Sequence, residues 1–179
     1  MGQNPTPASD EGPRTQALRA VLSGPMKTTS EKSLQVLNDL IEICKDGQQG
    51  FQTAAEDAKD AHLAHTFRQY AGQRSTYIRE LQERVRALGG DPEKRGSVSG
   101  TLHRGWIDLK AAISSNEPHA VLAECERGED AAVEAYREAR AEENIDIETR
   151  RLIERQASGI QTAHDHVKQL RDSPAFAHR

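Results

Sequence analysis

The sequence predicts an all-α protein of four long helices, arranged as two hairpins joined by a long crossover. Three observations carry this. Four of the seven prolines fall in residues 1–27, and the other three, Pro92, Pro118 and Pro174, each sit beside a turn signal. The stretches between them lack the residue that breaks a helical ladder. Apolar residues recur in alternating steps of three and four, the spacing of one buried helix face, and strictly alternating β-branched runs are absent. Finally, the two halves of the chain repeat each other.

Residues 1–27 are poor in apolar side chains and rich in proline and small polar residues, so they are expected to be a disordered tail with one short turn at Ala17–Leu22. The bundle is expected over 28–173, with a short tail at 174–179. Thr28 and Glu31 have the spacing of a capping box, which starts the first predicted helix there. Its seam reads Leu34, Leu37, Ile41, Cys44, Gln48, Phe51, Ala55, Ala58. A break at Asp57–Asp60 leads to the second, with the seam Phe67, Ala71, Arg74, Ile78, Leu81, Val85, Leu88, and Gly89-Gly90 ends it. A crossover follows, with a short amphipathic helix over Leu102, Trp106, Leu109 and Ile113. Asn116-Glu117-Pro118 opens the third long helix with cap and proline in the favoured order. Its seam reads Leu122, Cys125, Glu129, Ala132, Tyr136, Ala139. Asp146 caps the fourth, with the seam Ile153, Gln156, Ile160, Ala163, Val167, Leu170, and Ser173-Pro174 closes it.

The repeat is specific. ICKDGQQGFQTAAEDA at 43–58 aligns without a gap on ECERGEDAAVEAYREA at 124–139. Cys44 falls on Cys125, Gly47 on Gly128 and Gln48 on Glu129. RQYAGQRSTY at 68–77 aligns on RQASGIQTAH at 155–164, which sets Gly72 on Gly159, Arg74 on Gln161 and Tyr77 on His164. A glycine inside a helix costs about 1 kcal/mol relative to alanine, so matched glycines predict close approach of a neighbour. The paired cysteines are expected to be small core residues.

At 179 residues and 19.8 kDa the chain is one domain. Its net charge of −4 argues against a strongly basic nucleic-acid binder. It has no apolar run of the roughly 18 residues that a membrane span needs. Its start has no signal-peptide core, so a cytoplasmic location is expected. Two cysteines make no disulfide framework.

Four strings, LNDLIEICKDGQQGF at 37–51, ALGGDP at 87–92, GTLHRGW at 100–106 and AECERGEDAAVEAY at 123–136, together resemble a bacterial family of ferritin-like four-helix bundles, a domain of unknown function. The likeness covers about 34–170 and extends in layout to the ferritin and rubrerythrin superfamily. It implies an up-down four-helix bundle with one long crossover, and by superfamily analogy a link to stress physiology. Di-iron members of that superfamily place one Glu on each of two helices and Glu-x-x-His on each of the other two. None of the seven histidines here has Glu or Asp three positions before it. By the repeat, Arg74-x-x-Tyr77 and Gln161-x-x-His164 stand in the two Glu-x-x-His slots, and Gln48 and Glu129 in the single-Glu slots.

The resulting expectation is a polar core layer of Gln48, Arg74, Tyr77, Glu129, Gln161 and His164. Arg74 occupies the place of the metal, paired with Glu129 and hydrogen-bonded by Gln48 and Gln161. No catalytic residue and no cofactor is expected, and the protein is expected to be a non-enzymatic binding or structural module that forms a homodimer. The alternative is iron or manganese bound by Glu126, Glu129 and His164, as in a metal-handling or oxidase-type protein. His103 and Trp106 mark a possible pocket between crossover and bundle. Arg14, Arg19 and Lys27 offer a third reading, an adaptor whose tail docks a partner.

Overall fold

The computed structural model describes the backbone of residues 13–94, 106, 108–115 and 117–176, and their side chains from residue 29 onward. Among these residues there are five helices and no strand. They are α1 (Pro13–Asp57), α2 (Ala61–Ala87), α3 (Leu109–Ser114), α4 (Pro118–Ala141) and α5 (Ile147–Asp172).

Helix ends follow local chemistry. Asp60 accepts a hydrogen bond from the Leu63 backbone N–H at 2.9 Å and starts α2. Past the end of α2, Gly89 takes φ 76°, the left-handed conformation that glycine adopts without strain. Pro118 lies in the first turn of α4, where its missing N–H costs nothing. Asp146 caps α5 by accepting from the backbone of Glu148 and Thr149.

Two expectations are corrected. The sequence places the tail at residues 1–27 and a helix start near Thr28. Instead α1 begins at Pro13 and passes through both Thr28 and Glu31, so their spacing caps nothing. Proline is tolerated in a first turn, and Ala17–Leu22 is a stretch of mostly good helix formers. Residues 1–12 and 177–179 of the expected tails lie outside the described residues. The crossover helix is shorter than its apolar pattern, covering Leu109–Ser114 only, with Trp106 in a separate 3₁₀ turn. Leu102, His103 and Asn116 lie outside the described residues.

Packing register fixes the helix directions. On α1 and α4, Ser33 meets Asp146 just past the end of α4, and Cys44 meets Tyr136. The two helices are therefore antiparallel. On α2 and α5, Tyr70 meets His166, Glu80 meets Gln156, and Arg84 meets Thr149, again antiparallel. Short turns make α1–α2 and α4–α5 antiparallel as well. Hence α2 and α4 point the same way. The chain between them must return along the 27-residue α2, a distance of about 40 Å.

The core divides in two. One apolar cluster includes Leu37, Ile41, Leu81, Val85, Tyr136 and Ile160. The other includes Phe51, Leu63, Phe67, Leu122, Cys125 and Val167. Each long helix passes from one cluster to the other at a common level. The residues at that crossing are Gly47 and Gln48 on α1, Arg74 on α2, Glu129 on α4, and Ala163 and His164 on α5.

Candidate functional site

Arg74 and Glu129 meet at this midline, with both side chains fully buried. Arg74 Nη2 donates to Glu129 Oε1 and Oε2 at 2.5 Å each, and Nη1 donates to the Gln73 amide oxygen at 2.5 Å. The guanidinium carbon lies 5.9 Å from the ring centroids of both Phe51 and Tyr77, so two aromatic rings offer it cation–π contact. Among the described residues, Arg74 Nε has no acceptor. A Cβ at Gly47 would crowd it, at 3.3 Å, which explains why α1 carries a glycine beside a side chain this large. Burial opposes the charge on Arg74, but Glu129 outweighs it and holds the guanidinium above its ordinary pKa. Burial likewise pushes the Glu129 carboxyl up, and the guanidinium works against that rise.

The hydrogen bonds of Arg74 go to none of the other expected members of the layer. Gln48 is half-buried on α1, and none of the Arg74 hydrogen bonds goes to it. Gln161 is exposed and bonds Asp165 at 2.9 Å rather than Arg74. The reason is helical phase: residue 161 lies about 100° around from Ile160, and Ile160 is the one buried in the seam. Tyr77 is half-buried, with its ring against the guanidinium and its hydroxyl over Gly159. His164 bonds Asp130 at 3.0 Å and Asp165 at 2.9 Å. Burial lowers its pKa, but the hydrogen bonds to Asp165 and Asp130 carry it upward. Of the six residues the repeat singles out, only Arg74, Tyr77 and Glu129 come together.

The alternative ligand set is likewise dispersed. Glu126 pairs with Arg171, Glu129 with Arg74, and His164 with Asp130 and Asp165. Among the described residues, no three or more His, Cys, Asp and Glu side chains gather as metal ligands would.

A second polar chain runs beside the pair, and the sequence reading missed it. Cys44 Sγ lies 3.3 Å from Tyr136 Oη, and Tyr136 donates to Gln156 Oε1 at 2.7 Å. Gln156 Nε2 donates to Glu80 at 2.8 Å, and Arg155 closes the chain on Glu80 at 3.0 Å. The signal was present, since Tyr136 and Gln156 are polar positions on otherwise apolar seams. Burial pushes the Cys44 thiol up to about 11, which leaves it protonated and inert. Cys44 and Cys125 are both buried and free.

The glycines seat side chains. Trp106 packs flat against Gly50 on α1 and Gly128 on α4, and a Cβ at either position would overlap the indole. The repeat does not mark Gly50, whereas Gly72, which it does mark, faces open space. Trp106 also lines an open groove of about 440 Å³ with Asp46, Gln49, Thr53, Leu109 and Lys110. His103, its expected companion, lies outside the described residues.

Among the described residues, then, this is an all-helical protein with a charge pair sealed at its midline. Residues 32–142 match the model described as "Domain of unknown function (DUF2383)", more than half of the chain, and the chain belongs to that family. None of the curated proteins matches it. Among the described residues, no helix is long and apolar enough to cross a membrane.

Proposed function

We propose that this chain is a ferritin-like bundle protein in which a tethered guanidinium replaces the central metal ions, and that it serves as a non-enzymatic binding or structural module. The observation that carries this is the Arg74–Glu129 pair, fully buried where four helices cross from one apolar cluster to the other. The antiparallel helix order and the long return between α2 and α4 support the ferritin-like layout. A fixed cation at that level repels a divalent ion, since the interaction of like charges rises steeply as the dielectric falls. Glu129, the fully buried carboxylate at the midline, spends both oxygens on Arg74. The proposal takes the protein to be cytoplasmic and homodimeric, and superfamily analogy alone adds a link to stress physiology.

Metal loading tests it. The full chain, exposed to Fe(II) or Mn(II) without oxygen and then freed of excess ion, should carry far less than one metal per chain by elemental analysis. Stoichiometric iron or manganese that disappears in Glu129→Ala would overturn the reading and favour a metal-handling protein.

A further inference from the structure

A string of rings crosses the helices beside the charge pair. Trp106 meets Phe51 edge-on with centroids 5.3 Å apart, and Phe51 meets Tyr70 at 5.3 Å. Tyr70 meets His166 of α5 at 6.0 Å, and its hydroxyl lies 2.6 Å from His166 Nδ1. Trp106, Tyr70 and His166 are half-buried, while Phe51 is fully buried between them.

Indole and phenol are the ring side chains that most readily give up one electron. A phenol does so more easily when its proton departs at the same time to a base already in hydrogen-bond reach. Neutral imidazole is such a base. The three tyrosines differ in this respect. Tyr136 donates to the amide oxygen of Gln156, which takes up no proton. Tyr77 has the Arg74 guanidinium against its ring, and that charge opposes loss of an electron. Tyr70 faces an imidazole. Burial pushes its phenol up from the ordinary value, so the proton is present to be transferred.

We propose that Trp106, Phe51, Tyr70 and His166 form a path for an electron hole that enters at Trp106 and comes to rest on Tyr70. A diffusible one-electron oxidant takes an electron from the indole and is itself reduced. Tyr70 then returns an electron to Trp106 through the Phe51 ring. Its O–H bond breaks in the same step, and the proton passes to His166 Nδ1. The products are a restored Trp106, a Tyr70 phenoxyl radical and a His166 imidazolium. Phe51 bridges and is not oxidised.

The single tryptophan makes the starting point unique. Azide radical, made by pulse radiolysis in a solution of the full chain, oxidises indole in preference to phenol. The indole-radical absorbance should decay at a rate independent of protein concentration, with tyrosyl absorbance growing in step. Tyr70→Phe should abolish that growth and prolong the indole radical. His166→Gln keeps the phenol but should slow the transfer about a hundredfold, the worth of a positioned base. Circular dichroism checks that each variant is folded, and His166→Gln decides the matter if Tyr70→Phe is not. Unchanged tyrosyl growth in Tyr70→Phe, or transfer at the wild-type rate in His166→Gln, would overturn the proposal.

Discussion

Arg74 is the largest fully buried side chain among the described residues, and its charge makes its partner indispensable. A buried ion pair adds little net stability, because desolvation of both ions offsets their attraction. Removing one partner is different, since it strands the other charge in an apolar setting. Arg74→Ala should therefore lower the unfolding free energy by about 3–5 kcal/mol. The double change Arg74→Met with Glu129→Leu fills the same space without charge and should be close to neutral, or stabilising by about 1–4 kcal/mol. Urea titration of both variants measures this. A single variant no worse than the double would mean that Glu129 reaches water.

At the scale of the element, the start of α5 is a heavily tied helix end. Asp146 accepts from the Thr149 backbone at 2.9 Å, from the Thr149 hydroxyl at 2.6 Å, and from Arg84 of α2 at 2.5 Å. Its own backbone N–H donates to Ser33 of α1 at 3.1 Å. Burial pushes its carboxyl up, but the Thr149 and Arg84 bonds prevail and bring it from 3.8 to about 2. A carboxyl depressed in the folded state stabilises above its unfolded pKa and loses that stabilisation as pH falls through the folded one. The window is thus from about pH 4 down to about pH 2, and the contribution at neutral pH is about 2 kcal/mol. Asp146→Asn retains a capping oxygen but not the charge. It should be less stable than the native chain at pH 7, with the gap closing by about pH 2. A gap independent of pH would show that the carboxylate is not held by these bonds.

At the scale of the whole molecule, the two hairpins meet along α1–α4 and α2–α5, and the crossover is pinned where Trp106 rests on Gly50 and Gly128. One indole thus touches both hairpins and abuts Phe51 of the second apolar cluster. Its fluorescence reports their separation, while far-UV circular dichroism reports the helices. The two signals should change together in a denaturant titration, as in a single cooperative unit. Distinct midpoints would mean that the crossover leaves its seat before the helices melt.

Periodicity and caps made the long helices legible: the turn at 58–60, Gly89 past α2, Pro118 opening α4 and Asp146 capping α5 are local chemistry that needs no partner to be read. The Arg74–Glu129 contact was legible too, because both are charged residues standing on otherwise apolar seams. Gln161 was misplaced because sequence alignment does not carry helical phase, and one residue turns a side chain from core to solvent. Trp106 on its glycines, Gln73 beside Arg74 and the Tyr70–His166 contact join segments far apart in sequence or depend on rotamers. The chain alone thus determined the four long helices from residue 28 onward and which of their faces are apolar, since these follow from backbone sterics and side-chain polarity. Packing of α1, α2, α4 and α5 around one midline decided which polar groups share a buried partner, because desolvation depends on neighbours that the local sequence does not contain.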